Sequence, residues 1–245
     1  MSKSQSVNSN DENSLYLIPT PLGKMKENRV LPQYTLDVLR QLDFFIVENV
    51  KTAISFLKWI DHPLPDYKIT FRVLNKKTPD HEVMSFLKLM LENQTGLMSE
   101  AGAPGVADPG AKLVRLAHDS GIQVVPLTGP SSILLALMGS GLNGQEFTFH
   151  GYLPLDQEQR IRKIKELDRD SKMTNRTQIF IETPHRNMQL YGDLIKTCSP
   201  ETLLCIASSL TLPDESITTR PVYKWKNEKR PSLQGIPAIF LMNRE

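Results

Sequence analysis

Short apolar runs alternate along the chain with segments whose apolar residues recur three and four positions apart. The runs fall at residues 15–19, 44–48, 68–73, 95–99 and 123–127, each bounded by Pro, Gly, Asp or Asn. Between them, Leu36/Leu39/Arg40, Val83/Phe86/Leu87/Met90 and Leu113/Leu116/Ala117 carry helical spacing. The last of these helices has recognisable ends. Asp108 is expected to cap it, Pro109 suits its first turn, and Gly121 suits the left-handed residue that closes it. Strands that are apolar throughout and alternate with helices predict a parallel sheet covered on both faces.

The pattern loosens after residue 127. A turn at Thr128-Gly129-Pro130 precedes an apolar helix over 131–139. Strands are expected at 148–153, 178–182, 203–208, 222–225 and 238–242, and helices at 156–172 and 186–197. Successive strands without helical spacers indicate a mixed sheet. The expected organisation is therefore a frayed polar tail (1–13), an N-terminal parallel α/β domain (14–127) and a C-terminal mixed α/β domain (128–245). A cleft between the two domains is the natural place for a ligand.

Composition narrows the function classes. The apolar fraction of 40% and charged fraction of 23% are those of a globular protein. No stretch approaches the roughly 20 apolar residues of a membrane helix, and no secretory signal is recognisable, so a cytoplasmic protein is expected. Two cysteines, Cys198 and Cys205, make neither a disulfide framework nor a four-ligand zinc site, and five dispersed histidines give no metal motif. Gly23-Lys24 is followed by Met25 rather than Ser or Thr, which removes a phosphate loop. No dinucleotide fingerprint and no nucleophile elbow is present.

What remains is a set of Gly/Pro loops, each after a predicted strand: 19–23, 99–110 and 128–132. Open α/β sheets bind ligands beyond the carboxyl ends of their strands, where Gly admits close backbone approach and Pro fixes loop shape. The near-neutral chain also hides an asymmetry. Residues 1–150 hold 14 basic and 15 acidic groups, whereas 151–245 hold 15 and 12. The excess sits in 157–176 and around Arg220, Lys224, Lys226, Lys229 and Arg230. These stretches suit a polyanion, or simply a solvated helix face and loop.

The stretches LYLIPTPLG (15–23), SEAGAPGVADPG (99–110), PLTGPSS (126–132), HGYLP (150–154) and IETPHR (181–186) follow one another with characteristic spacing. Together they resemble the tetrapyrrole methylase superfamily of S-adenosylmethionine-dependent methyltransferases, most closely the branch that 2′-O-methylates a cytidine of 16S ribosomal RNA. The resemblance implies two α/β domains, S-adenosylmethionine in the interdomain cleft with S-adenosylhomocysteine as product, and a homodimer without metal. It implies that Pro21 and Leu22 line one wall, that Ala103, Pro104 and Val106 contact the methionine part, and that Ser131 and Ser132 supply N–H and hydroxyl groups. Ile181, the region of Ala207 and the stretch around Pro237 would approach the adenine. Ala103 stands where corrinoid-pathway relatives usually have Asp, as in the RNA branch.

Ribose methylation removes a hydroxyl proton, so a positioned base is sought among the strand-end groups. Glu48, Glu100 and Glu182 end predicted strands, and His185 and Arg186 follow the last; Arg186 would suit a phosphate. For Glu182 and His185 a helix-start cap is the competing reading, and for Glu48 and Glu100 a solvated strand end or a pair with Lys51 or another cation. Trp59 and Trp225 are read as packing. The family's Ala-Glu-Asp-Thr-Arg block is Val47-Glu48-Asn49-Val50-Lys51 here, and Glu100 replaces its usual Asp. A charged stretch of the RNA branch is replaced by residues 208–213, and a C-terminal extension is absent. These departures leave ribosomal RNA, a porphyrin or corrin precursor, and cofactor binding without catalysis all open as readings of the acceptor side.

Overall fold

The computed structural model describes residues 13–244. The expected tail lies outside the described residues, apart from Asn13, whose carbonyl accepts from the Gln123 N–H at 3.3 Å. The chain forms two units, one ending at Ser131 and one beginning at Ser132.

The first unit is built on five strands, β1 (Ser14–Ile18), β2 (Phe44–Val47), β3 (Thr70–Val73), β4 (Thr95–Met98) and β5 (Gln123–Pro126). They pair in the order β3-β2-β4-β1-β5, all parallel. Four helices join them: α1 (Gln33–Leu39), α2 (Val50–Trp59), α3 (Asp80–Glu92) and α4 (Ala111–Asp119). Side chains alternate between the faces of a strand, so each of the central strands β1, β2 and β4 feeds two cores. Phe45 and Val47 pack with Leu39 of α1 and Leu57 of α2. Phe44 and Ile46 pack with Phe86 of α3 and Leu113 of α4 on the other face. This double burial is why β2 reads as an uninterrupted apolar run, whereas the edge strands β3 and β5 are largely exposed and carry Arg72 and Gln123.

Three local expectations change. Residues 66–68 form a 3-10 turn ahead of β3 rather than its start. Helix α2 was not signalled by the sequence pattern; its N-terminus is capped by Asn49, whose Oδ1 accepts from the Lys51 N–H at 2.9 Å. Asp108 does not cap α4. That helix starts after Gly110 with no side-chain cap, and the Asp108 carboxyl turns toward Glu48 and Ser99. Gly121 does take the left-handed conformation that ends α4.

The second unit holds β6 (Phe147–Tyr152), β7 (Thr177–Ile181), β8 (Leu203–Ser208), β9 (Ser216–Pro221) and β10 (Ala238–Asn243) in the order β6-β7-β10-β8-β9. Only β6 and β7 are parallel among these pairs, which makes the sheet mixed. Helices α5 (Ser132–Ser140), α6 (Gln157–Thr174), α7 (Asn187–Thr197) and α8 (Val222–Asn227) complete it. Residues 222–225 are helical rather than extended. Val222 and Trp225 stand three apart, the spacing of a buried helical face, and Pro221 suits entry to the first turn. The strand is the preceding segment, β9. Trp225 Nε1 donates to the Leu204 carbonyl at 2.9 Å, and Phe180 stacks on Phe240 beneath α6 and α7.

Candidate active site

In the first unit, β4, β1 and β5 are adjacent and parallel, so the three Gly/Pro loops leave the same sheet edge. They are also tied together. Thr20 and Gly102 exchange two backbone hydrogen bonds at 3.0 Å. Thr20 Oγ1 donates to the Ser99 carbonyl at 3.2 Å, and Ser99 Oγ donates to the Gly102 carbonyl at 3.0 Å. The loop after β5 is held by Thr35 Oγ1, which donates to the Thr128 carbonyl at 2.8 Å. A methyl group on Gly129 would come within 2.5 Å of Pro19 Cβ, so the main chain of the third loop packs directly against the proline ring of the first.

Along this edge Pro21, Leu22 and Ala103 are half-buried, Pro104 is buried and Val106 is exposed. Gly105 has φ +80°, with open space where a side chain would project. Ser131 and Ser132 stand, half-buried, at the start of α5. Small side chains, a glycine facing open space and pre-tied loops form a cradle that fits a ligand held by shape rather than by charge.

Of the titratable groups at this edge, Glu100 is the solvated strand end that was one of its expected readings, whereas Glu48 has a carboxyl neighbour that no reading foresaw. Glu48 pairs with another acid, not with Lys51. Its side chain shares a hydrogen bond with Asp108, Glu100 lies within Coulombic range, and Lys76 is the nearby cation. Burial foremost, and Asp108 next, push the Glu48 carboxyl up to about 7. Burial also raises the Asp108 carboxyl. Glu48 Oε1 is buried with no hydrogen-bond partner among the described residues. Glu100 is exposed and accepts from Thr52 Oγ1 at 3.4 Å.

Beside the carboxyls, the loop after β1, the end of β4 and the outer turns of α2 enclose a cavity of about 600 Å³. Its lining includes Leu22, Met25, Phe56 and Trp59 with Glu48, Glu100, Lys24 and Lys51. Trp59 packs against the core as expected and also lines this cavity. Its ring stacks on Phe56 at 6.1 Å between centroids, and Nε1 donates to the Lys26 carbonyl at 3.2 Å. Sequence reading missed this wall because it missed α2; the aromatic pair three residues apart was the available signal.

In the second unit, the carboxyl ends of β7 and β8 meet the amino end of β10. Ile181 pairs with Ile239, and Ala207 with the same residue from the other side. Ile181 is half-buried and Pro237 exposed, but Ala207 is fully buried between Ile239 and Ile217 and offers no exposed surface to a ligand. Glu182 is buried and binds Arg186 Nη2 at 2.6 Å; its Oε1 also accepts from the Thr183 N–H. This ion pair closes the turn before α7 and is not a helix cap, since α7 begins at Asn187 with Arg186 at the N-cap position and no side-chain cap. Arg186 is thus engaged within the turn, while His185 is exposed. Asn187 Nδ2 donates to the Ile236 carbonyl at 2.6 Å and the Gly235 N–H to that of Pro184 at 3.0 Å, which clamps the two loops together.

Part of each basic stretch is engaged by neighbouring groups of the chain. Arg160 is buried against Asp193 at 2.7 Å and donates to the Pro154 and Leu155 carbonyls. Lys163 pairs with Glu166 at 2.7 Å. Arg220 is bound by Glu228 and lies over the Trp225 ring. Lys165, Arg169 and Lys172 on α6, and Lys224, Lys226, Lys229 and Arg230 around α8, are exposed. Among the described residues no helix is long and apolar enough to cross a membrane.

Residues 14–225 match the family described as Tetrapyrrole (Corrin/Porphyrin) Methylases. The chain is 32% identical over 208 residues to Ribosomal RNA small subunit methyltransferase I of Vibrio cholerae, covering 85% of this chain and 68% of that one. The corresponding protein of Escherichia coli O157:H7 is 30% identical over 87% of this chain and 71% of its own. That of Bacillus subtilis is 29% identical over 89% and 72%. Among solved structures, the methyltransferase CobJ superposes with a TM-score of 0.62 at 14% identity, covering 95% of this chain and 94% of that one, a likeness of fold.

Proposed function

The chain belongs to the tetrapyrrole methylase family and is a methyltransferase, and from that premise we propose that it methylates a ribose 2′-hydroxyl of small-subunit ribosomal RNA with S-adenosylmethionine as donor. The observation that carries the reading is the tied trio of loops at the ends of β4, β1 and β5. The donor supplies an already activated sulfonium methyl, so the protein chiefly has to hold donor and acceptor in line, with the reacting atoms about 3–3.5 Å apart, and keep water out. Backbone and small side chains suffice for that task. We assign the methionine part of the donor to Pro21, Leu22, Ala103, Pro104 and Val106, with Ser131 and Ser132 offering hydroxyl and N–H groups. Contacts to the adenine are assigned to Ile181 and Pro237. The relatives' names favour ribosomal RNA over a corrin or porphyrin precursor.

Of the five acid–base candidates, Glu48 is the one we assign to the hydroxyl proton. Glu182 and Arg186 already satisfy each other, and His185 stands exposed beyond them. Glu48 has an unpartnered oxygen and a carboxyl tuned near neutrality, where a general base works best. In the step, the hydroxyl proton passes to Glu48 as the ribose oxygen bonds to the methyl carbon. The carbon–sulfur bond breaks with its electron pair left on sulfur.

Calorimetry with S-adenosylmethionine and S-adenosylhomocysteine, followed by labelled methyl transfer into small ribosomal subunits lacking ribose methylation, tests the reading. Saturable binding of both and incorporation into RNA are expected. A protein that binds neither at high micromolar concentration, or binds them and labels no RNA, contradicts it.

A further inference from the structure

The geometry points to the cavity between the β1 loop and α2 as the seat of one nucleobase, turned out of single-stranded RNA and stacked on the Phe56–Trp59 wall. The inference rests on the RNA methyltransferase reading above and specifies where the acceptor nucleoside lies. About 600 Å³ is within the range of small-molecule sites and accommodates a nucleoside with its flanking phosphate. The chemistry of the lining is divided as a nucleotide's is. Leu22, Met25, Phe56 and Trp59 supply an apolar wall for a flat ring, and base–aromatic stacking is indifferent to hydrogen-bonding pattern. Exposed Lys24 and Lys51 stand where the chain enters, complementary to the phosphates on either side of the base. Glu48 and Glu100 reach the same cavity from the sheet edge, which brings a sugar attached to the stacked base to the carboxyl assigned to its proton.

Trp59 itself reports the occupancy. A short single-stranded RNA carrying the acceptor sequence, titrated into the full-length protein with S-adenosylhomocysteine present, should quench fluorescence in the wild type and not in Trp59→Phe. Stacking is worth roughly 1–3 kcal/mol per base, so Trp59→Leu and Phe56→Leu should each weaken RNA binding about 5- to 150-fold. Trp59→Phe, which keeps a ring, should recover most of the affinity. Lys51→Glu, a surface change, should reduce the dependence of affinity on salt. Affinity for S-adenosylhomocysteine should stay within twofold in every variant, which also certifies that each has folded. RNA affinity and methyl transfer that stay within twofold of wild type in Trp59→Leu and Phe56→Leu would overturn the pocket while leaving the RNA methyltransferase reading standing. A wild type that binds S-adenosylhomocysteine but neither binds nor methylates RNA would remove the reading, and the pocket with it. Saturable binding of a porphyrin at Trp59, with RNA excluded, would likewise overturn the assignment.

Discussion

Glu48→Gln should lower the rate of methyl transfer by about two orders of magnitude or more, with donor and RNA affinities within a few-fold of wild type. General-base assistance is worth roughly 10²- to 10⁴-fold, and glutamine keeps the shape while losing the ability to take a proton. Single-turnover transfer separates this loss from binding. In the wild type, transfer should rise with pH up to about 7, where the carboxyl ionises, and then level off; the variant should lack that rise. Asp108, Glu100 and Lys76 face the same carboxyl, so Asp108→Asn should move the midpoint as well as the rate. A Glu48→Gln enzyme as fast as wild type would assign the proton elsewhere.

The same residue should leave a mark on stability. Its carboxyl is held above its ordinary value of 4.5, so between there and about 7 the folded chain binds more protons than the unfolded one. Stability contributed by the protonated form is therefore present at low pH and lost as pH rises through that window. The half-buried position is screened by water, so the effect is on the order of 1 kcal/mol, well below full conversion of the shift. Thermal melts from pH 5 to 8 should show Glu48→Gln with a flatter profile than wild type and a higher melting temperature at pH 8. A carboxyl retained against its own stability is expected where chemistry requires it.

Gly129→Ala should carry the second large effect, on the donor. The added methyl would lie 2.5 Å from Pro19 Cβ and 2.6 Å from Cγ, and a proline ring on a hydrogen-bonded loop yields little. Separating these loops should cost about 1–3 kcal/mol of stability. It should also weaken S-adenosylmethionine binding at least tenfold, about the 1.4 kcal/mol that a shifted cradle loses. Gly144→Ala is the matching control, because nothing lies within 4 Å of its added methyl. Denaturant unfolding and calorimetry on both variants check this. Normal donor affinity in Gly129→Ala would mean that this close approach does not shape the site.

The parallel sheet was legible because the central strands, Phe44–Val47 foremost, are buried on both faces and leave no alternation to misread. The loops were legible because parallel strands must present their carboxyl ends together. Asp108 was misread for the opposite reason. Its sequence neighbours, Pro109 and a helix, favour a cap, but the side chain is claimed by Glu48 from another strand, a contact that no local pattern encodes. Helix α2 escaped because its apolar face is short, with only Ala53 and Leu57 fully buried, and the cavity it walls escaped with it. In the second unit, 222–225 has the composition of a strand, but the spacing of Val222 and Trp225 is decided by packing against α7 and β8.

The most direct test of the central claim is the chemical position of the methyl group. Small ribosomal subunits lacking ribose methylation would be incubated with the protein and labelled S-adenosylmethionine, their RNA digested to nucleosides, and the labelled product identified by mass spectrometry. The account predicts a single 2′-O-methylated nucleoside with an unmodified base. Label on a base, or none from a protein that binds the donor, would contradict it.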